Sequence, residues 1–201
     1  IQEGLDIAYD AMQHYFVTEG KGVVPLWMGK SHWQVWNFAP GQPEAGFPYE
    51  TDEEVLVDSR AGGSYFWITY LPKYLGGGTF YLTGLRDSDG NMLDGRSTYK
   101  LNVPVDTPAR DFWSVIAYSM ATKGFIRNME RVGLSSRDAD TMQTNDDGSW
   151  DIYFGPEAPA GKESNFIPTG GEDFFLLFRL YGPASKDFYT TWLLGDIVKV
   201  N

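Results

Sequence analysis

Cysteine is absent from all 201 residues. That absence excludes disulfides, thiolate nucleophiles and every Cys-based metal or iron–sulfur site. It leaves the compartment open, because a cysteine-free chain tolerates either redox setting. Histidine is nearly absent too: His14 and His32 stand alone, neither with a second imidazole at ligand spacing and neither beside a nucleophile. A His-based metal site and Ser–His–Asp chemistry therefore lack support, and no metal or other cofactor is expected; an all-carboxylate calcium site stays open. Positive charge is scarce, with 16 Lys and Arg against 27 Asp and Glu and a net charge of −11. Such a balance argues against nucleic acid and against an anionic membrane surface as partners. Long apolar runs are missing, so no membrane span is expected. No basic segment followed by an apolar one marks a leader, although a chain that opens on Ile1 leaves a removed leader open.

What is present suits a packed domain. Hydrophobic residues at 42% and aromatics at 16% exclude disorder, since they bury enough surface to offset chain entropy. Ile1, Leu5, Ala8, Met12 and Tyr15 or Phe16 recur at helical steps, which predicts one amphipathic helix over residues 1–18, stopped by Gly20 and Gly22. Trp27, Trp33, Trp36 and Phe38 follow in a stretch broken by Pro25 and Gly29. Their faces suit either a binding platform or a core. Glu50, Asp52, Glu53 and Glu54 read as a solvated acidic rim.

From residue 55 onward the pattern becomes β. Strands are predicted over 55–58, 65–71, 79–85, 97–103, 112–119, 150–154, 174–182 and 196–200. Asp89-Gly90 marks a tight turn, and Asp147-Gly148 and Gly155-Pro156 supply further punctuation. Short strands with turns between them indicate a mainly β fold, an antiparallel sandwich or barrel. The organisation expected is a helical, aromatic-rich extension over 1–54 packed on a β-sandwich domain over 55–201. Phe174 to Phe178 is apolar on both faces, which places that strand centrally.

Three motifs imitate chemistry and fail. Gly155 to Lys162 resembles a phosphate-binding loop, but the glycines are spaced one residue too far apart, Glu163 replaces the magnesium-binding hydroxyl, and two prolines remove N–H donors. Ser97 and Lys100 match S-x-x-K, yet the run continues as a strand, where residues three apart face opposite ways. Asp87 to Asn91 resembles a calcium loop with its glycine two places early and no closing Glu. Two features survive. Arg179 interrupts an apolar strand, and a charge there needs a partner or a polar cavity. Residues 155–169 form a long irregular loop that carries Lys162, Glu163 and Asn165. Glu163 is the expected bidentate partner of Arg179, because its loop leads directly into that strand.

The C-terminal part carries an ordered set of motifs. Asp94-Gly95, Tyr99, Val103-Pro104, Phe112-Trp113-Ser114 and Tyr118 form a first block. Asp147-Gly148-Ser149, Tyr153 to Pro156, Ala158 to Glu163, Asn165 and Ile167-Pro168-Thr169 form a second, and Arg179 to Pro183, Thr191-Trp192 and Asp196-Ile197 a third. Over residues 55–201 the chain resembles the bacterial "domain of unknown function 1214" family, which usually follows a "domain of unknown function 1254" in longer proteins. Phe166 stands where that family often has Trp, and Gly195 where Pro is common. The resemblance implies a jelly-roll-like antiparallel β-sandwich in exported or cell-envelope proteins, periplasmic or secreted, and it implies no established activity.

Two functions compete. One is a non-catalytic module whose aromatic surface docks a companion domain, another subunit, a glycan or a small molecule; a homo-oligomer, most simply a dimer, is expected. The other is a hydrolase or lyase on carbohydrate-like substrates, with a polar pocket around Arg179 and Lys162. The residues expected to bind are Arg179, Lys162, Asn165, Trp113 and Tyr118. Their convergence on one cavity would favour the enzyme, and their separation the module.

Overall fold

The structure is a computed structural model, and it describes residues 1–36, 53, 55, 57, 60–61, 78–185 and 187–200. Chain contacts divide it into two compact units, residues 1–25 with 35–75 and residues 26–34 with 76–201.

In the first unit the helical periodicity is realised as α1 (Gln2–Val17). Its first ten residues are exposed, including Leu5 and Ile7, and only Phe16 is buried. The rings of Tyr15 and Phe16 each lie 6.4 Å from Trp36. The helix stops where the glycines predict. Thr18 is extended, and a side chain on Gly22 would come within 2.5 Å of the Tyr15 carbonyl. The short strand β1 (Val23–Pro25) follows. The strand expected over 55–58 is not formed at Val57, which is helical together with Arg60 and Ala61. Four residues are too few for periodicity to separate the two states. Phe38 and the strand expected over 65–71 lie outside the described residues.

The second unit is β. Its strands are β2 (Trp33–Trp36, of which Trp33 and Gln34 fall in this unit), β3 (Thr79–Gly84), β4 (Thr98–Val103), β5 (Ala109–Ser119) and β6 (Gly133–Ser135). They continue as β7 (Trp150–Gly155), β8 (Phe166–Pro168), β9 (Phe174–Pro183) and β10 (Val198–Val200). The larger sheet runs β2-β3-β9-β5-β6 and the smaller β10-β4-β7-β8. The strands expected over 79–85, 97–103, 112–119, 150–154 and 174–182 are all present, and β9 is central as its two apolar faces require. Asp89-Gly90 turns as expected, with Gly90 at φ +82° and Asp87 Oδ1 accepting from the N–H groups of Asp89 and Asn91.

Strand β8 departs from the antiparallel expectation: it lies parallel to β7, with Phe154 opposite Ile167. It arises within residues 155–169, read from the sequence as irregular loop. That stretch holds a 3₁₀ turn, Glu163–Asn165, and then β8. Three residues ending in proline carry no readable period.

Alternation along β9 separates two faces. Phe174, Leu176, Phe178 and Leu180 are fully buried and point toward the smaller sheet, where Phe174 meets Tyr99 at 5.9 Å and Phe154 at 6.2 Å. Trp113 of β5 meets Trp150 of β7 at 5.8 Å. These contacts make the two sheets a sandwich with a shared aromatic core. Each large apolar side chain buried there contributes about 1.5–3 kcal/mol. Among the described residues no helix is long and apolar enough to cross a membrane.

Candidate functional site

Arg179 has the opposite parity to Phe178 and Leu180, so it stands on the outer face of the larger sheet. Tyr81 of β3 and Ser114 of β5 are its cross-strand neighbours. The guanidinium donates from Nη2 to the Tyr118 hydroxyl. It also lies 5.6 Å from the Tyr81 ring centre and 5.7 Å from that of Tyr118, where the ring faces attract a cation. Tyr181 follows two residues along β9 and stacks on Phe112 at 4.1 Å, and the exposed guanidinium of Arg137 sits 3.9 Å over Phe112. Phe175 underlies Tyr118 at 5.4 Å. Burial pushes the Tyr118 hydroxyl above its ordinary pKa; Arg179 opposes this, and the neighbouring Tyr181 and Tyr81 reinforce it.

The expected carboxylate partner of Arg179 is not there. Glu163 is exposed and its carboxylate accepts from the Gly161 N–H at 3.0 Å; backbone N–H groups of its own loop hold its pKa below the usual carboxylate value. Sequence proximity misleads here because the loop is spliced into the smaller sheet through β8, while Arg179 faces away from that sheet. Among the described residues the ion pairs are His32–Asp196, Arg96–Asp94 and Lys100–Asp151, and none involves Arg179. Its Nε is buried with no hydrogen-bond partner among the described residues, and so is the hydroxyl of Thr83 on the same face. A guanidinium cannot shed its charge, and among the described residues no carboxylate compensates it.

Lys162 and Asn165 form a separate group. Asn165 is 2% exposed and fully committed: its Oδ1 accepts from Gln143 N at 2.7 Å and Ser164 Oγ at 2.9 Å. Its Nδ2 donates to the carbonyls of Gln143 at 2.8 Å and Asp151 at 3.0 Å. Lys162 Nζ donates to Gln143 Oε1 at 3.0 Å. These contacts fasten the β7–β8 connection. Trp113 is a core residue, 3% exposed on the inner face and stacked on Phe178 at 5.7 Å. Of the five residues singled out in the sequence, the structure brings together Arg179 and Tyr118.

The tryptophan stretch is core as well. Trp27 and Trp33 are 7% and 1% exposed and donate their indole N–H groups to the carbonyls of Tyr189 and Gly195, each at 2.8 Å. Tyr81 and Tyr181 completed the Arg179 cluster unnoticed, because only strand register reveals them. The His32–Asp196 contact was also missed. Asp196 accepts from His32 N at 2.6 Å and lies 3.0 Å from its Nδ1, across a separation of 164 positions that no local pattern bridges.

All four residues of the cluster fall within residues 78–185, the span matched by a family model described as Protein of unknown function (DUF1214). The chain belongs to that family. No curated protein matches it. Among solved structures, this DUF1214 chain is similar to the VPA0106 protein from Vibrio parahaemolyticus, with 23% identity, a TM-score of 0.55, and 79% of this chain and 39% of that one covered. It is also similar to a putative uncharacterized protein from Burkholderia cenocepacia, with 17% identity, a TM-score of 0.44, and 63% and 31% covered. The first likeness supports the fold. The DUF1214 chain thus spans well under half the length of each.

Proposed function

We propose that this domain is a non-catalytic binding module, and that its binding surface is the outer face of the larger sheet around Arg179, Tyr118, Tyr81 and Tyr181. The observation that carries the reading is a half-buried guanidinium at the centre of a sheet, framed by tyrosine rings and lacking a carboxylate among the described residues. A protein that kept such a charge for stability alone would pair it. The aromatic surface is therefore this tyrosine face and not the tryptophan stretch. The competing enzyme reading needed Arg179 and Lys162 around one pocket. Lys162 is instead engaged with Gln143 on the β7–β8 connection, and Arg179 faces away from the sheet that this connection serves.

The test is an NMR fragment screen with charged and neutral aromatic compounds. Chemical-shift changes are expected at Tyr81, Tyr118, Tyr181 and the Arg179 Nε–H, with no turnover of esters or glycosides. Changes centred on Lys162 and Gln143, or hydrolysis of any fragment, would replace the module with the enzyme.

A further inference from the structure

We infer that the ligand of this face is a small monocarboxylate with a flat, apolar body. The inference rests on the proposed binding face and adds its chemistry. The face supplies one cation at its centre, Arg179, and among the described residues no anion answers it. A single negative charge balances it. A phosphate dianion would bring a second charge, and the further cation beside the cluster, Arg137, is exposed and already sits over the Phe112 ring, in a chain whose net charge is −11. A neutral sugar would leave the guanidinium uncompensated once water is displaced.

The hydrogen-bonding geometry selects the same class. The Tyr118 hydroxyl accepts from Arg179, so its own proton remains for an acceptor. Guanidinium and phenol are hydrogen-bonded neighbours and together supply N–H and O–H donors, the groups that the two oxygens of a planar carboxylate accept from. The walls are flat and apolar: the rings of Tyr81 and Tyr118 on either side of the guanidinium, and the stacked pair of Phe112 and Tyr181 beyond. Such walls reward a planar hydrocarbon body attached to the acid.

The experiment is an NMR titration of the whole chain with three probes: phenylacetate, phenylacetamide and inorganic phosphate. Phenylacetate is expected to bind saturably at the Arg179 face, and phenylacetamide roughly tenfold or more weakly, since the amide lacks the charge. Arg179→Gln should lower phenylacetate affinity by roughly ten- to hundredfold, and Tyr118→Phe by roughly fivefold, which are the losses that removed charged and neutral hydrogen bonds produce. Circular dichroism checks that each variant is folded. Should Arg179→Gln fail to fold, Tyr118→Phe keeps the ring and still decides the matter: wild-type affinity in that variant overturns the inference. Amide binding as tight as the acid, or phosphate binding tighter than phenylacetate while still dependent on Arg179, overturns the ligand class and leaves the binding face standing. No Arg179-dependent binding of any probe overturns both.

Discussion

Asn165 and Arg179 are both polar groups set among hydrophobic neighbours, and they solve that situation in opposite ways. Asn165 occupies every side-chain hydrogen-bonding direction with Gln143, Ser164 and Asp151, so its burial is compensated in full. Arg179 has one phenol, two ring faces and an orphaned Nε. The first side chain is committed to holding the β7–β8 connection in place. The second is left with interaction capacity that no described residue uses. Satisfied polar groups specify architecture, and unsatisfied ones in a half-open position mark where something else belongs.

That contrast makes the two residues respond oppositely to truncation. Asn165→Ala strands the Gln143 N–H and two carbonyls in a buried site and should cost roughly 2–4 kcal/mol in denaturant unfolding, with affinity at the Arg179 face unchanged. Arg179→Met removes a charge that lacks a carboxylate among the described residues, so stability should stay within about 1 kcal/mol or rise, whereas ligand affinity should fall at least roughly ten- to hundredfold. A large loss of stability in Arg179→Met would reveal a hidden partner and erase the contrast. Spectrophotometric titration sharpens it further. Tyr118 should ionise above the ordinary tyrosine range, and Arg179→Met should raise it again because the opposing cation is gone. Folding then weakens above pH ~10, where the unfolded chain has already lost that proton.

Smaller effects are expected at Lys123 and Lys162. Burial lowers the Lys123 amine to about 8 from its ordinary 10.5. The folded state therefore binds fewer protons than the unfolded one between those values, and the cost of burying the charge, present below about 8, fades as pH rises toward 10.5. Carbon-detected NMR of the lysine side chains should show one titrating near 8 apart from the rest. Lys162→Ala should shift stability by no more than about 0.5 kcal/mol, as expected for a hydrogen bond at the surface.

The sequence makes the regular parts plain for simple reasons. Helical spacing in residues 1–18 and alternation in β3, β5 and β9 are local, and a single window contains them. Arg179 announces itself as the one charge in an apolar run. Its surroundings do not, because Tyr81 and Tyr118 reach it through register across three strands, and register depends on the whole sheet. Glu163 looked right by proximity in the chain and is wrong because an intervening three-residue parallel strand carries its loop to the other sheet. Asp196 illustrates the reverse: its segment, expected as strand from 196, gives β10 only from Val198 because Asp196 is engaged with His32 and Ile197 bridges to Asp87.

That last segment has a consequence for biosynthesis. β10 at residues 198–200 pairs with β4 at residues 98–100, and the Asp196 carboxylate holds His32. A ribosome releasing the chain from its N-terminus exposes β4 and the 26–34 segment long before their partners exist. Those edges wait, unpaired and open to wrong contacts, until residues 196–200 emerge. Synthesis stalled short of residue 196 should leave a chain that chaperones recognise and proteases clip around β4, and a handful of further residues should abolish both.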